Sequence, residues 1–367
     1  MHRQKYVKRL NQVIKKTLKN HSYKDKISCF FGYNQNYLYL FLLLLYNKNM
    51  NKNNKSTNKN FILTGADGGT LFTLAVGIPL IVALIFSIAL ISLGLNNEEF
   101  TSSPTYQYLS FAISSFSLFI VLWYVTKKRN LSIPLAFSLK RCNGVYLLIA
   151  LGLAFGSLFG LGGINEWFIN ILQGGGYEIS QIVLPKRHFG DYILCVIIVC
   201  LLPALLEECV FRGLLLNGAR RGGAVFAVIV CGILFSIFHK NPAQTAYQLI
   251  IGLTLTLLAI KSGSIIPSVL YHFVNNLYVV TYYFLAPDGY VFDESVQIVL
   301  CVLGIIIYAV CLLYLIFKCK LPSSDEKLDN DYAQISNNKQ EMKYFLLFSA
   351  PGIVACIMLW VVNLLNV

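Results

Sequence analysis

The sequence predicts an all-α, polytopic membrane helix bundle of about eight or nine transmembrane helices. Three observations predict it. First, 56% of the 367 residues are hydrophobic and only 13% are charged. A soluble globular chain carries about 45–50% apolar and about 25% charged residues. The charge deficit is the more telling half, because a long soluble chain needs polar surface and lipid must cover what is missing. Second, apolar runs near the roughly 20 residues that span a hydrocarbon core follow one another from residue 70 onward. Third, these runs are continuously apolar. Only helices and closed barrels satisfy their backbone inside a bilayer, and barrel strands alternate over about ten residues.

The elements follow in order. Residues 1–69 form a basic segment that reads as disordered, with an Asn/Lys-rich stretch at 51–60. Its apolar run at 37–46 is too short to span. It fits a signal-like core, an interfacial segment, or a stretch upstream of a true start at Met50, and these stay open. Spans are expected at 70–95, 106–126, 143–163, 192–218, 223–239, 244–260, 265–285 and 296–318, with a weaker amphipathic piece at 165–173. The bundle thus covers 70–318. A polar linker at 319–343 leads to an additional C-terminal transmembrane helix at 344–367.

The formal net charge of +13 does not point to nucleic acid. The basic residues sit in the first 60 positions and in alternate short loops: Lys127, Lys128, Arg129, Lys140 and Arg141; Arg220 and Arg221; Lys261; Lys318 and Lys320. Glu98, Glu99, Asp288, Asp293 and Glu294 occupy the other side. The positive-inside rule then places the N-terminus in the cytoplasm of a multi-pass cell-membrane protein, with membrane lipid as its surroundings. The ten cysteines contain no C-x-x-C pair and mostly lie in apolar runs, where cysteine is a small buried hydrophobe.

Ionisable residues inside membrane helices are costly and mark functional sites. The fourth span carries Glu207, Glu208 and Arg212. Glu208 and Arg212 are four apart and share a helix face, so they can pair. Glu207 points about 100° away without that partner, free to act as a general base. The bland alternative is that both glutamates pin the bundle through Arg212. His239 ends the fifth span, and the seventh carries His272 and Asn276, four apart on one face. Taken singly, such histidines are usually core residues, and membrane asparagines are often interhelical glue. Depth decides whether they meet. Glu207 lies about 21 Å before Arg221 and His239 about 25 Å after Gly222, which matches them across a hairpin. His272, about 12 Å past Ser264, reaches that level if the hairpin projects into the cytoplasm.

The set Glu207-Glu208…Arg212, Phe235…His239 and His272…Asn276, in that order on successive helices, resembles the CPBP family of CAAX proteases and bacteriocin-processing proteins, also called Abi. The resemblance covers about residues 190–280. It implies a hydrolase, an intramembrane endopeptidase in which Glu207 and His239 activate water, His272 and Asn276 stabilise the oxyanion, and Glu208 and Arg212 brace the site. Its substrate would be a peptide, a lipidated C-terminus or another membrane-associated protein segment. The family is commonly named a metalloprotease, and Glu207, His239 and His272 could supply a zinc site. Without an H-E-x-x-H, and with asparagine a poor zinc ligand, metal-free water activation is as open as zinc. Two rivals remain: a non-catalytic self-immunity or regulatory protein on the same scaffold, and a proton relay or transporter, against which the lack of an internal repeat counts.

Overall fold

The computed structural model describes residues 63–131, 137–179, 188–286, 293–321 and 338–365. The expectations for residues 1–62, Met50 included, and for most of the 319–343 linker lie outside them. The described residues form helices and turns and contain no strand. The helices are α1 (Gly65–Ser92), α2 (Pro104–Lys128), α3 (Gly144–Gly160), α4 (Gly162–Gly174), α5 (Phe189–Gly222), α6 (Ala224–Phe238), α7 (Thr245–Ser262), α8 (Ile266–Leu285), α9 (Glu294–Phe317) and α10 (Asn338–Leu364).

Their ends follow local chemistry. Thr64 and Asp67 close a capping box at the start of α1, at 3.1 and 3.0 Å, and Asp67 also pairs with Arg129 just past α2. Ser103 caps α2, with Pro104 in the first turn where a missing N–H costs nothing. α7 stops at Gly263, whose φ of +64° is left-handed. Pro267 then opens α8.

The all-α membrane bundle is as expected, with six or seven candidate spans among the described residues beside the expected eight or nine. Among the described residues, six helical stretches are long and apolar enough to cross a bilayer, α1, α2, α5, α7 with its preceding turn, α9 and α10. A seventh is gained if α3 and α4, bent by 43°, count as one. α6 has 15 residues, about 22 Å against a core of about 30 Å. α8 has 20 residues, but His272, Asn275, Asn276 and its tyrosines lower its hydropathy. These are the helix that leads directly into His239 and the helix that carries His272.

The helices pack as pairs, α10 along α1, α9 along α3 and α6 along α7, with α8 against α3 and α7. Small residues permit the close approaches. A Cβ at Gly232 of α6 would stand 2.6 Å from the Leu253 side chain, and one at Gly252 of α7 would stand 2.9 Å from the Gly232 carbonyl. Gly65, Gly68 and Gly69 of α1 lie under Glu341, Phe345 and Ser349 of α10. Glu341 accepts from Gly65 N at 2.6 Å and pairs with Arg221 at 3.3 Å.

Candidate active site

The site is assembled where α5, α6, α7 and α8 meet. α5 is not a uniform helix. About two α-helical turns, Leu202–Glu208, are flanked by π-helical stretches at Val196–Leu201 and Cys209–Leu215. Pro203 gives a reason for the first, since it has no N–H for the Val199 carbonyl and its ring crowds that group. Such widened turns recur at functional sites. The second stretch begins one residue after the glutamate pair and contains Arg212.

Glu208 and Arg212 are fully buried, and their side chains are 0% exposed. Arg212 Nη1 donates to Glu208 Oε1 at 2.7 Å, and Nη2 donates to the Gly252 carbonyl at 3.1 Å. The guanidinium lies over the Phe235 ring, 4.3 Å from its centroid, an attractive placement for a cation. His272 Nδ1 donates to the same Glu208 oxygen at 3.0 Å. Glu208 thus ties Arg212 on its own helix to His272 on α8.

Phe235 is the centre of the arrangement. It is fully buried. Its ring meets both His239 and His272 edge-on, with centroids 4.8 and 5.8 Å away. Its carbonyl accepts from His239 Nδ1 at 2.8 Å. A carbonyl can only accept, so the proton sits on Nδ1 and a neutral ring presents the Nε2 lone pair. That Nε2 lies 4.0 Å from Glu207 Oε2. The Glu207 and His239 side chains keep 15% and 18% exposure, respectively, and Oε2 is buried with no hydrogen-bond partner among the described residues.

The structure therefore brings together Glu207 with His239, and Glu208 with Arg212 and His272. Asn276 is half-buried on α8, one turn beyond His272. Its neighbour Asn275 is the buried one, and its Oδ1 accepts from Tyr247 Oη at 2.7 Å. Sequence reasoning missed Phe235 as an organiser, the Glu208–His272 contact, the Tyr247–Asn275 bond and the π-helical turns. Pro203 was the available signal for the first π-helical turn. The others depend on tertiary contacts.

The donor set does not fit the suggested zinc site. Among the described residues no three His, Cys, Asp or Glu side chains gather closely enough to hold a metal ion. Glu207 faces His239, whereas His272 bonds through Nδ1 to Glu208 and not to either of them.

No curated protein and no solved structure matches the chain. Residues 189–278, from the first turn of α5 to Tyr278 on α8, match the family model for Rce1-like type II CAAX prenyl endopeptidases, a similarity consistent with the CPBP family.

Proposed function

We propose that the protein is an intramembrane endopeptidase that hydrolyses a peptide bond with water activated by Glu207 and His239. The observation that carries this reading is the 4.0 Å between Glu207 Oε2 and His239 Nε2. With Nδ1 bonded to the Phe235 carbonyl, both facing atoms are acceptors. Two acceptors at that spacing suit a water molecule that donates one proton to each. A carboxylate so placed takes a proton as the water oxygen attacks the substrate carbonyl, and returns it to the leaving amine.

The developing oxyanion needs fixed donors. Asn276 supplies an amide N–H₂. His272 donates from Nε2 only when both ring nitrogens carry protons, because Nδ1 is committed to Glu208. Glu208 is then its counter-ion as well as the partner of Arg212. Arg212, Glu208 and Phe235 hold both imidazoles in place through contacts inside the protein, so substrate binding need not order them. No step passes through a metal.

The substrate class is a peptide, a prenylated C-terminus or a membrane-associated protein segment, in keeping with the Rce1-like match. The basic loops argue that Arg221 and the start of α10, which pair through Glu341, face the cytoplasm, with His239 deeper from that side because its turn bonds to Asn363 near the other end of α10. The test is cleavage of a prenylated Cys-aliphatic-aliphatic-X peptide by purified protein in vesicles. Glu207→Ala and His239→Ala are expected to abolish cleavage while insertion and melting temperature stay near wild type. Full cleavage by Glu207→Ala would sink the proposal.

A further inference from the structure

We propose that α10, which lies outside the Rce1-like segment, positions the water-activating pair by anchoring the turn that carries His239, through Asn363 and Trp360. The inference rests on the reading of Glu207 and His239 given above.

The turn is short and unusual. α6 ends at Phe238, and the His239 backbone N–H reaches the Ser236 carbonyl at 3.3 Å, a tight last-turn bond. Lys240 follows with φ +53°, a left-handed conformation that a residue with a Cβ adopts only when its surroundings impose it. The chain then passes through Asn241 and Pro242 into α7. Inside the turn, Asn241 Oδ1 accepts from Ala243 N at 3.0 Å, Thr245 Oγ1 donates to the Asn241 carbonyl at 3.0 Å, and Ser236 Oγ donates to the Thr245 carbonyl at 2.7 Å.

Two further bonds come from α10. Asn363 Nδ2 donates to the Lys240 carbonyl at 2.7 Å. Trp360 Nε1 donates to Thr245 Oγ1 at 2.8 Å. They grip the turn at both ends, one of them on the strained residue directly after His239. Removing Asn363 takes this partner from the Lys240 carbonyl and frees the left-handed turn from α10. The left-handed residue then relaxes, and His239 shifts relative to Glu207. Asn363 and Trp360 touch no reacting atom, so they are positioning residues that act through His239.

The experiment uses the full chain in phosphatidylcholine–phosphatidylglycerol vesicles and the prenylated Cys-aliphatic-aliphatic-X peptide. Asn363→Leu removes the donor at nearly constant size, and Trp360→Phe removes the indole N–H but keeps a ring. Thr73→Val is the control, because it deletes a 2.6 Å bond from α1 to the Phe348 carbonyl of α10 far along the chain from the turn. Misplacement of about 1 Å costs up to about a hundredfold in rate. Asn363→Leu should therefore lower kcat about tenfold or more, with KM unchanged, and Asn363→Gln should recover part of that loss. Trp360→Phe should lower kcat less, and Thr73→Val should leave it alone. Backbone hydrogen exchange over residues 239–245 should speed up in Asn363→Leu. Wild-type kcat in both α10 variants, with Glu207→Gln inactive, overturns the proposal. If wild type and Glu207→Gln treat the peptide alike, the peptidase reading fails instead. Exchange then decides: faster exchange over 239–245 supports the anchor, and unchanged exchange overturns it.

Discussion

Arg212→Met tests what holds the buried centre together. The native guanidinium makes a 2.7 Å bond to Glu208, a 3.1 Å bond to the Gly252 carbonyl and a stack on Phe235 at 4.3 Å. Methionine keeps most of the length and none of the charge. It leaves Glu208, 0% exposed, as a buried carboxylate facing only His272. Removing one partner of a buried ion pair costs about 3–5 kcal/mol, chiefly for the charge left behind. The double variant Glu208→Gln, Arg212→Met removes that charge, and the amide oxygen introduced by Glu208→Gln can still accept from His272. What remains lost is the pair of hydrogen bonds made by Arg212, at about 0.5–1.5 kcal/mol each. The single variant is therefore expected to be destabilised by about 3–5 kcal/mol and the double by about 1–3 kcal/mol. Reversible unfolding in mixed detergent–dodecyl sulfate micelles, followed by circular dichroism, measures both. A loss below about 1 kcal/mol in Arg212→Met, or a double variant no more stable than the single, would refute the reasoning.

The adjacent asparagines should separate by readout. Asn276→Ala is expected to lower kcat about a hundredfold, the usual effect of deleting one oxyanion donor, with little change in melting temperature. Asn275→Ala should cost about 1–2 kcal/mol of stability through the lost Tyr247 bond, seen as a lower unfolding midpoint. Gly69→Leu should dislodge α10, because a Cβ there would run into the Phe345 carbonyl and stand 2.9 Å from the Phe348 Cβ. Faster proteolysis between α9 and α10 would report it. Dialysis against a strong chelator should leave peptide cleavage unchanged, since no three ligating side chains converge among the described residues. Loss of activity restored by Zn²⁺ would contradict that expectation.

Much of the fold was legible, because lipid exposure forces long apolar runs whose lengths count helices directly. The two expected spans that do not stand out on their own are α6, which is short, and α8, which is polar. The polar residues of the site on α8 and the short reach of α6 make these helices dependent on neighbours, and those packing contacts are tertiary. Pairing of Glu208 with Arg212 could be read from their spacing, since i and i+4 share a face. That Glu208 also holds His272 could not, because the contact joins positions 64 residues apart. His272 is followed by Asn275 at i+3 and Asn276 at i+4, and both spacings suit one face. Only the position of Tyr247 on α7 distinguishes them. Phe235 entered the sequence reading only as the first residue of the Phe235…His239 motif, with no role of its own. Its role comes from its ring and carbonyl being used at once, by Arg212 and two histidines.

The most direct test of the central claim is peptide cleavage in H₂¹⁸O by the purified full-length protein in vesicles, with mass spectrometry of the new carboxyl terminus. The account predicts one solvent-derived oxygen in the product made by the wild-type protein and no product from Glu207→Gln or His239→Ala. Labelled product formed at the wild-type rate by Glu207→Gln would contradict it.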